Sequence, residues 1–171
     1  MTVTVCFHGA ESTGKSVLAQ LLERTRGIPW VREYGREYAE THGTAFTMAD
    51  LLAIAEGHAA ATRTALALKP PLLVLDTDPL MTAAWAQMLF GEAPAALFAY
   101  PKADHYLLFD AGVPWVGDGT RLFGTATARA AFAQVCEDVL VRAGVGFVRV
   151  AGSWEERERA VLGVIEGLGL G

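Results

Sequence analysis

The sequence contains no asparagine, two cysteines and, beside eleven arginines, three lysines, and each shortage narrows what the chain can be. Without Asn the N-K-x-D pattern typical of guanine readers cannot be written, which disfavours a GTPase. Cys6 and Cys136 make no C-x-x-C pair and stand in no histidine-rich spacing, so neither a zinc site nor a disulfide framework is signalled. Both read as reduced core cysteines. No uninterrupted apolar run reaches the about 18 residues that span a bilayer, and no basic segment leads into an apolar one at the N-terminus. A cytoplasmic protein with no membrane partner is expected. Positive charge is also scarce: a formal net charge of -5 and a pI near 5.3 argue against a nucleic-acid partner, because phosphate backbones demand clustered Lys and Arg. A small molecule is the expected partner, and the oligomeric state is left open.

What is present suits one compact α/β domain over residues 1–171, with 52% hydrophobic residues to fill its core. A buried strand is expected over 3–8, followed by a glycine-bearing loop and a helix near 15–25 whose Val17, Leu18, Leu21 and Leu22 share a face. Trp30-Val31-Arg32 reads as a second strand running into the polar segment Glu33-Tyr34-Gly35-Arg36-Glu37. Thr47-Met48-Ala49-Asp50 opens a long Ala-rich helix that Pro70-Pro71 must stop. Leu72-Leu73-Val74-Leu75 is a fully buried strand ending in Asp76-Thr77-Asp78, and Pro79 starts a helix to about Phe90. A further helix over roughly 93–102, a strand over 105–110, a helix from about Ala128 to Gly144 and a fifth strand over 146–150 follow. Ser153-Trp154-Glu155-Glu156 opens the last helix. Between 111 and 129 lies a stretch rich in Gly, Pro, Asp and Thr that reads as a lid.

Strands alternating with helices predict a parallel sheet covered on both faces, a three-layer sandwich. Right-handed crossovers gather the strands' C-terminal ends on one edge, so the site belongs there. At that edge Gly9-Ala10-Glu11-Ser12-Thr13-Gly14-Lys15-Ser16 matches G-x-x-x-x-G-K-[ST] in the required strand-to-helix context. Its glycines let successive N–H groups from Glu11, Ser12, Thr13 and Gly14 through Val17 converge on phosphates. Lys15 supplies a charge for the β- and γ-phosphates, and the Ser16 hydroxyl is a ligand for Mg²⁺. ATP and Mg²⁺ are the expected cofactors.

Asp76, closing an apolar strand, is placed as the carboxylate that holds the metal through its water shell. Asp78 is either a substrate contact or a helix cap before Pro79. Glu33 and Arg36 are candidates to take the acceptor's proton and to steady the acceptor, with Tyr34 beside them; a solvated charge run is the alternative. Arg121 and Arg129 flank the expected lid, where an arginine would neutralise charge on the transferring phosphoryl group, or else lie on the surface. Trp30 and Trp115 sit near strand ends and could stack on a base, with core packing as the alternative, while Trp85 is assigned to the core. His8 and His58 are read as structural in preference to catalytic. Which of Glu33, Asp76 and Asp78 is the base stays open.

Taken together, the phosphate loop, Glu33-Tyr34-Gly35-Arg36-Glu37-Tyr38, Ile54-Ala55-Glu56-Gly57-His58, Asp76-Thr77-Asp78 and Pro114-Trp115-Val116-Gly117-Asp118-Gly119-Thr120-Arg121 resemble the ribosylnicotinamide kinase domain of the NadR family. The resemblance implies strand order 2-3-1-4-5 and transfer of the γ-phosphoryl of ATP to the 5′-hydroxyl of nicotinamide riboside, a step of NAD salvage. It also places Trp115 and Asp118 with the substrate contacts and Arg121 with the catalytic ones. Because Met1 leads almost directly into the first strand, the adenylyltransferase domain of bifunctional members is expected to be absent. Two positions depart from the pattern. Arg32 stands where the family has a Trp, and Ala59-Ala60-Ala61 follow His58 where a Tyr is common. A kinase of another nucleoside-like alcohol, or an ATP-hydrolysing switch module, therefore stands as the alternative function.

Overall fold

A computed structural model describes residues 1–114 and 122–169. Strand β1 (Val3–Gly9) leads into α1 (Lys15–Arg26), then β2 (Trp30–Val31), α2 (Tyr34–His42), α3 (Met48–Ala67), β3 (Leu72–Asp76) and α4 (Pro79–Phe90). After a single 3-10 turn (Ala95–Phe98) come β4 (His105–Phe109), α5 (Ala126–Ala143), β5 (Phe147–Val150) and α6 (Trp154–Gly167). The five strands form one parallel sheet in the order β2-β3-β1-β4-β5, as the resemblance implies.

Alternation along the strands decides which residues meet which helices. Val5 and Phe7 of β1, Leu72 and Val74 of β3, and Leu107 and Phe109 of β4 join Leu18, Leu22, Val161 and Ile165 of α1 and α6 on one face. Cys6, Leu73, Leu75, Tyr106 and Leu108 turn the other way, against α3, α4 and α5. By the same parity Asp76 points toward α1. His8 points toward α5, where its Nε2 donates to the Cys136 carbonyl at 2.9 Å.

The helix starts are built largely as their sequence signals predict. Thr47 and Asp50 form one capping box and Ser153 and Glu156 another, each satisfying orphan donors reciprocally. Asp78 caps α4 through Leu80 N, with Pro79 in the first turn. Two expectations need correcting. The polar segment after β2 is helical, with Glu33 as N-cap of α2. No α-helix spans 93–102, because Pro94 and Pro101 bracket a stretch too short for more than one 3-10 turn. No helix among the described residues is long and apolar enough to cross a membrane.

Candidate functional site

At the C-terminal edge of the sheet the chain leaves β1 for α1 through a turn that needs its glycines. Gly9 has φ +139°, and a Cβ there would lie 2.6 Å from the Phe109 carbonyl oxygen of the neighbouring strand. Gly14, at φ +93°, is the left-handed N-cap of α1. Ser12 also takes a positive φ of 59°. A non-glycine residue held there stores strain of the kind found at ligand-binding turns. The Lys15 ammonium is folded into the loop, donating to Gly9 O at 2.9 Å, Ala10 O at 2.7 Å and Thr13 Oγ1 at 3.3 Å.

Strand parity brings the metal-type pair together: Ser16 Oγ donates to Asp76 Oδ2 at 2.5 Å. The other carboxylate oxygen, Asp76 Oδ1, is buried without a hydrogen-bond partner. Burial first, and then the charge of Glu33, push the Asp76 carboxyl well above the usual range, with Lys15 and Ser16 opposing. A hydroxyl beside a carboxylate with a spare oxygen is a hard-oxygen donor set, which a divalent cation would satisfy while relieving the repulsion from Glu33. Among the described residues no group of three His, Cys, Asp or Glu could hold a metal by side chains alone. Phosphate oxygens and water would have to complete the shell, as suits Mg²⁺.

A cavity of about 420 Å³ opens over this turn. Gly9, Glu11, Ser12, Thr13, Gly14, Lys15, Ser16 and Val17 all line it, so every described residue of the expected phosphate cradle faces one space. Glu33 and Arg36 line it too, with Arg36 Nε 3.9 Å from Glu33 Oε2. Beyond them the wall turns apolar: Phe46, Leu51, Ile54, Met81 and Trp85 enclose its far end, with His58 and Thr82 among them. Phe46 and Trp85 meet edge to face at 6.3 Å, and Trp85 also packs against Phe132 at 5.1 Å. Thr77, a β-branched residue at φ 71°, lines the floor.

Glu11 ties the loop to the chain that follows α4 and β4. Its carboxylate accepts from Leu122 N and Phe123 N at 3.1 Å each, and burial raises its pKa against the pull of those bonds. Arg129 does not line the cavity; one of its terminal nitrogens donates to Ala111 O and Val113 O at 2.9 and 2.6 Å. Trp115, Asp118 and Arg121, with residues 115–121 of the expected lid, lie outside the described residues.

Three expected substrate contacts lie off the cavity. The Trp30 indole donates to Glu23 Oε2 at 2.9 Å and stacks under Arg32 at 5.6 Å. Tyr34 lies flat on α3, so close that a Cβ on Gly57 would fall 2.2 Å from its ring. Asp78 is buried, spent on its capping bond and on Tyr106 Oη, which donates at 2.6 Å. Trp85 was legible only as core and Phe46 carried no signal, because an apolar side chain lining a pocket has the same sequence signature as one filling a core. His58 donates through Nε2 to the Asp76 carbonyl at 3.3 Å and is kept neutral by burial, a positioning contact at the site.

Against known proteins, the family model described as AAA domain matches residues 4–157. The trifunctional NAD biosynthesis/regulator proteins NadR of Escherichia coli and Salmonella typhimurium are each 32% identical over 154 residues. The match takes in 86% of this chain but 38% of those proteins, so the chain spans well under half their length. Among solved structures, a NadR protein in complex with NR superposes with a TM-score of 0.72 at 21% identity, covering 96% of this chain and 51% of that one. A thymidylate kinase from Candida albicans has the same TM-score at 15% identity, covering 99% and 93%. At these identities the two structures speak to the fold, which they share with the present chain.

Proposed function

Because this chain belongs to the AAA-domain family, whose model spans almost its whole length, we propose that it is an ATP-dependent kinase of nicotinamide riboside or a closely related nucleoside-like alcohol, working in NAD salvage in the cytoplasm. One observation carries the reading: the phosphate loop and a set of apolar and aromatic side chains line a single cavity, and Glu33 and Arg36 line it too. A protein that only hydrolysed ATP would have no use for that apolar lining. Similarity to NadR, whose solved relative holds NR, supports the choice of acceptor.

In this reading the loop amides and Lys15 hold the triphosphate, and Ser16 with Asp76 holds Mg²⁺. The metal would supply charge neutralisation for the β- and γ-phosphate oxygens. Lys15 must exchange its loop carbonyls for phosphate oxygens, a swap of neutral acceptors for charged ones that favours the bound state. Glu33 accepts the proton of the attacking hydroxyl, and Arg36 holds the acceptor end by charge. The chamber of Phe46, Ile54 and Trp85 takes the planar base, excluding water from the line between hydroxyl and phosphorus. Since Arg32 lies over Trp30, away from the cavity, the base must find its aromatic contacts on α4 and the loop before α3.

The test is direct. Incubated with Mg·ATP and a panel of ribosides, the protein is expected to give a product heavier by one phosphoryl group with nicotinamide riboside. ATP turnover indifferent to every riboside would overturn the proposal.

A further inference from the structure

Trp154 opens α6 with about half of its surface (52%) exposed, a costly place for the largest apolar side chain. Its six-membered ring edge rests on the phosphate loop: a Cβ on Gly14 would fall 2.4 Å from Trp154 Cζ3. Val17, on the first turn of α1, is 68% exposed. Among the exposed large hydrophobics, these two are the ones that line the cavity.

The indole is held in place by more than contact. Ser153 and Glu156 lock the start of α6, and Gly152 bends into it at φ +89°. One turn on, the fully buried Arg157 donates through Nε to Gly152 O at 2.9 Å and through Nη1 to Thr13 O at 3.2 Å. The helix start and the phosphate loop therefore form one braced unit, and Trp154 cannot drift from Gly14 without breaking that brace. Its place is also opposite to the acceptor chamber. Phe46 and Trp85 belong with the α3, α4 and α5 face of the sheet, whereas α1 and α6 cover the other face. Phe46 and Trp85 thus line the cavity from the elements on one face of the sheet, Trp154 and Val17 line it from those on the other, and the phosphate loop lines it as well.

A rigid, exposed indole beside a triphosphate cradle offers a π-face to any planar base on the same ligand. We propose that Trp154, with Val17 lining the same cavity, is the platform on which the purine base of the nucleoside triphosphate stacks. The proposal rests on the reading of the loop as a triphosphate site, but not on the identity of the acceptor.

Stacking acts on the base and leaves phosphate contacts alone, which defines the experiment. Dissociation constants for Mg·ATP and for Mg-tripolyphosphate are measured by calorimetry on the full chain and on Trp154→Ala, Trp154→Leu and Trp154→Phe. Trp154→Ala and Trp154→Leu are expected to weaken ATP by roughly five- to 150-fold while tripolyphosphate holds within about twofold, and Trp154→Phe is expected to recover most of the loss. Equal weakening of both ligands would overturn the proposal, since Trp154 would then act only by shaping Gly14. So would unchanged ATP affinity in Trp154→Leu, which keeps the apolar bulk and loses the ring. A selective loss of ATP in a protein that phosphorylates no riboside would uphold the platform while the kinase reading fell.

Discussion

Ser16 Oγ lies 2.5 Å from Asp76 Oδ2, joining the first residue turn of α1 to the last residue of β3 across 60 positions of sequence. The pairing exists because Asp76 shares strand parity with Leu72 and Val74, which face α1. It is the point at which the sheet's alternation becomes chemistry.

Asp76→Asn should therefore lower turnover by about 100-fold or more and shift its dependence on Mg²⁺ to higher concentration, read from initial rates across a magnesium titration. The same site sets a pH dependence. Burial and Glu33 raise the Asp76 pKa, so as pH falls through that raised value the carboxylate takes a proton and loses its hold on the cation. Apparent Mg²⁺ affinity should fall on acidification from neutrality, and Asp76→Asn should flatten the profile.

Glu33→Gln keeps the shape and the capping geometry of α2 but cannot accept a proton. The expected loss in kcat is about 10²- to 10⁴-fold, with ATP affinity measured by calorimetry changing little. Full activity in this variant would leave the hydroxyl proton to water or to the phosphate itself, as loose phosphoryl-transfer transition states permit.

Phe46 precedes α3, contacts Trp85 and lines the cavity, where the proposed function places the acceptor's base. Phe46→Ala should raise the acceptor KM by roughly five- to 100-fold through lost stacking and apolar contact, leaving the KM for ATP near its original value. Steady-state kinetics with each substrate varied in turn separates the two.

His8 predicts how the fold responds to acid. Fully buried, with Nε2 donating to Cys136 O and Nδ1 without a partner, it has its pKa lowered to about 4 by desolvation. Between about 6.5 and about 4 the unfolded chain binds a proton that the native one refuses, so stability falls as pH falls, by up to about 1.4 kcal/mol per pH unit. His8→Gln keeps a donor for Cys136 O and should show a shallower decline in urea unfolding free energy from pH 7 to pH 5.

The parts legible in the sequence are those with local causes. The glycine turn, both capping boxes, Pro79 in a first turn and the buried β3 run depend on residues within a few positions of one another, and each appears where the pattern put it. Spatial order was less accessible: β2-β3-β1-β4-β5 followed from the resemblance, since periodicity carries no information about which strand lies beside which. The apolar part of the cavity was hidden because Trp85 touches Phe132 and also lines the cavity, two surroundings with one hydrophobic signature. Helix α2 was missed for its polar, Gly-containing run, which is a poor helix former on propensity and is held by Ile54 beneath Gly35 and Tyr34 on Gly57. Arg157 gave no signal either. A buried arginine one turn into a charged helix start is indistinguishable in sequence from a solvated one.

That arginine sets an order of events on the chain as it is made. Its bond to Thr13 O joins position 157 to a loop that has left the ribosome some 144 residues earlier. Until α6 has emerged and docked, the nascent protein carries a sheet and a glycine turn tied through Glu11 but not yet held at Thr13, so the last tether of the turn arrives with the final helix.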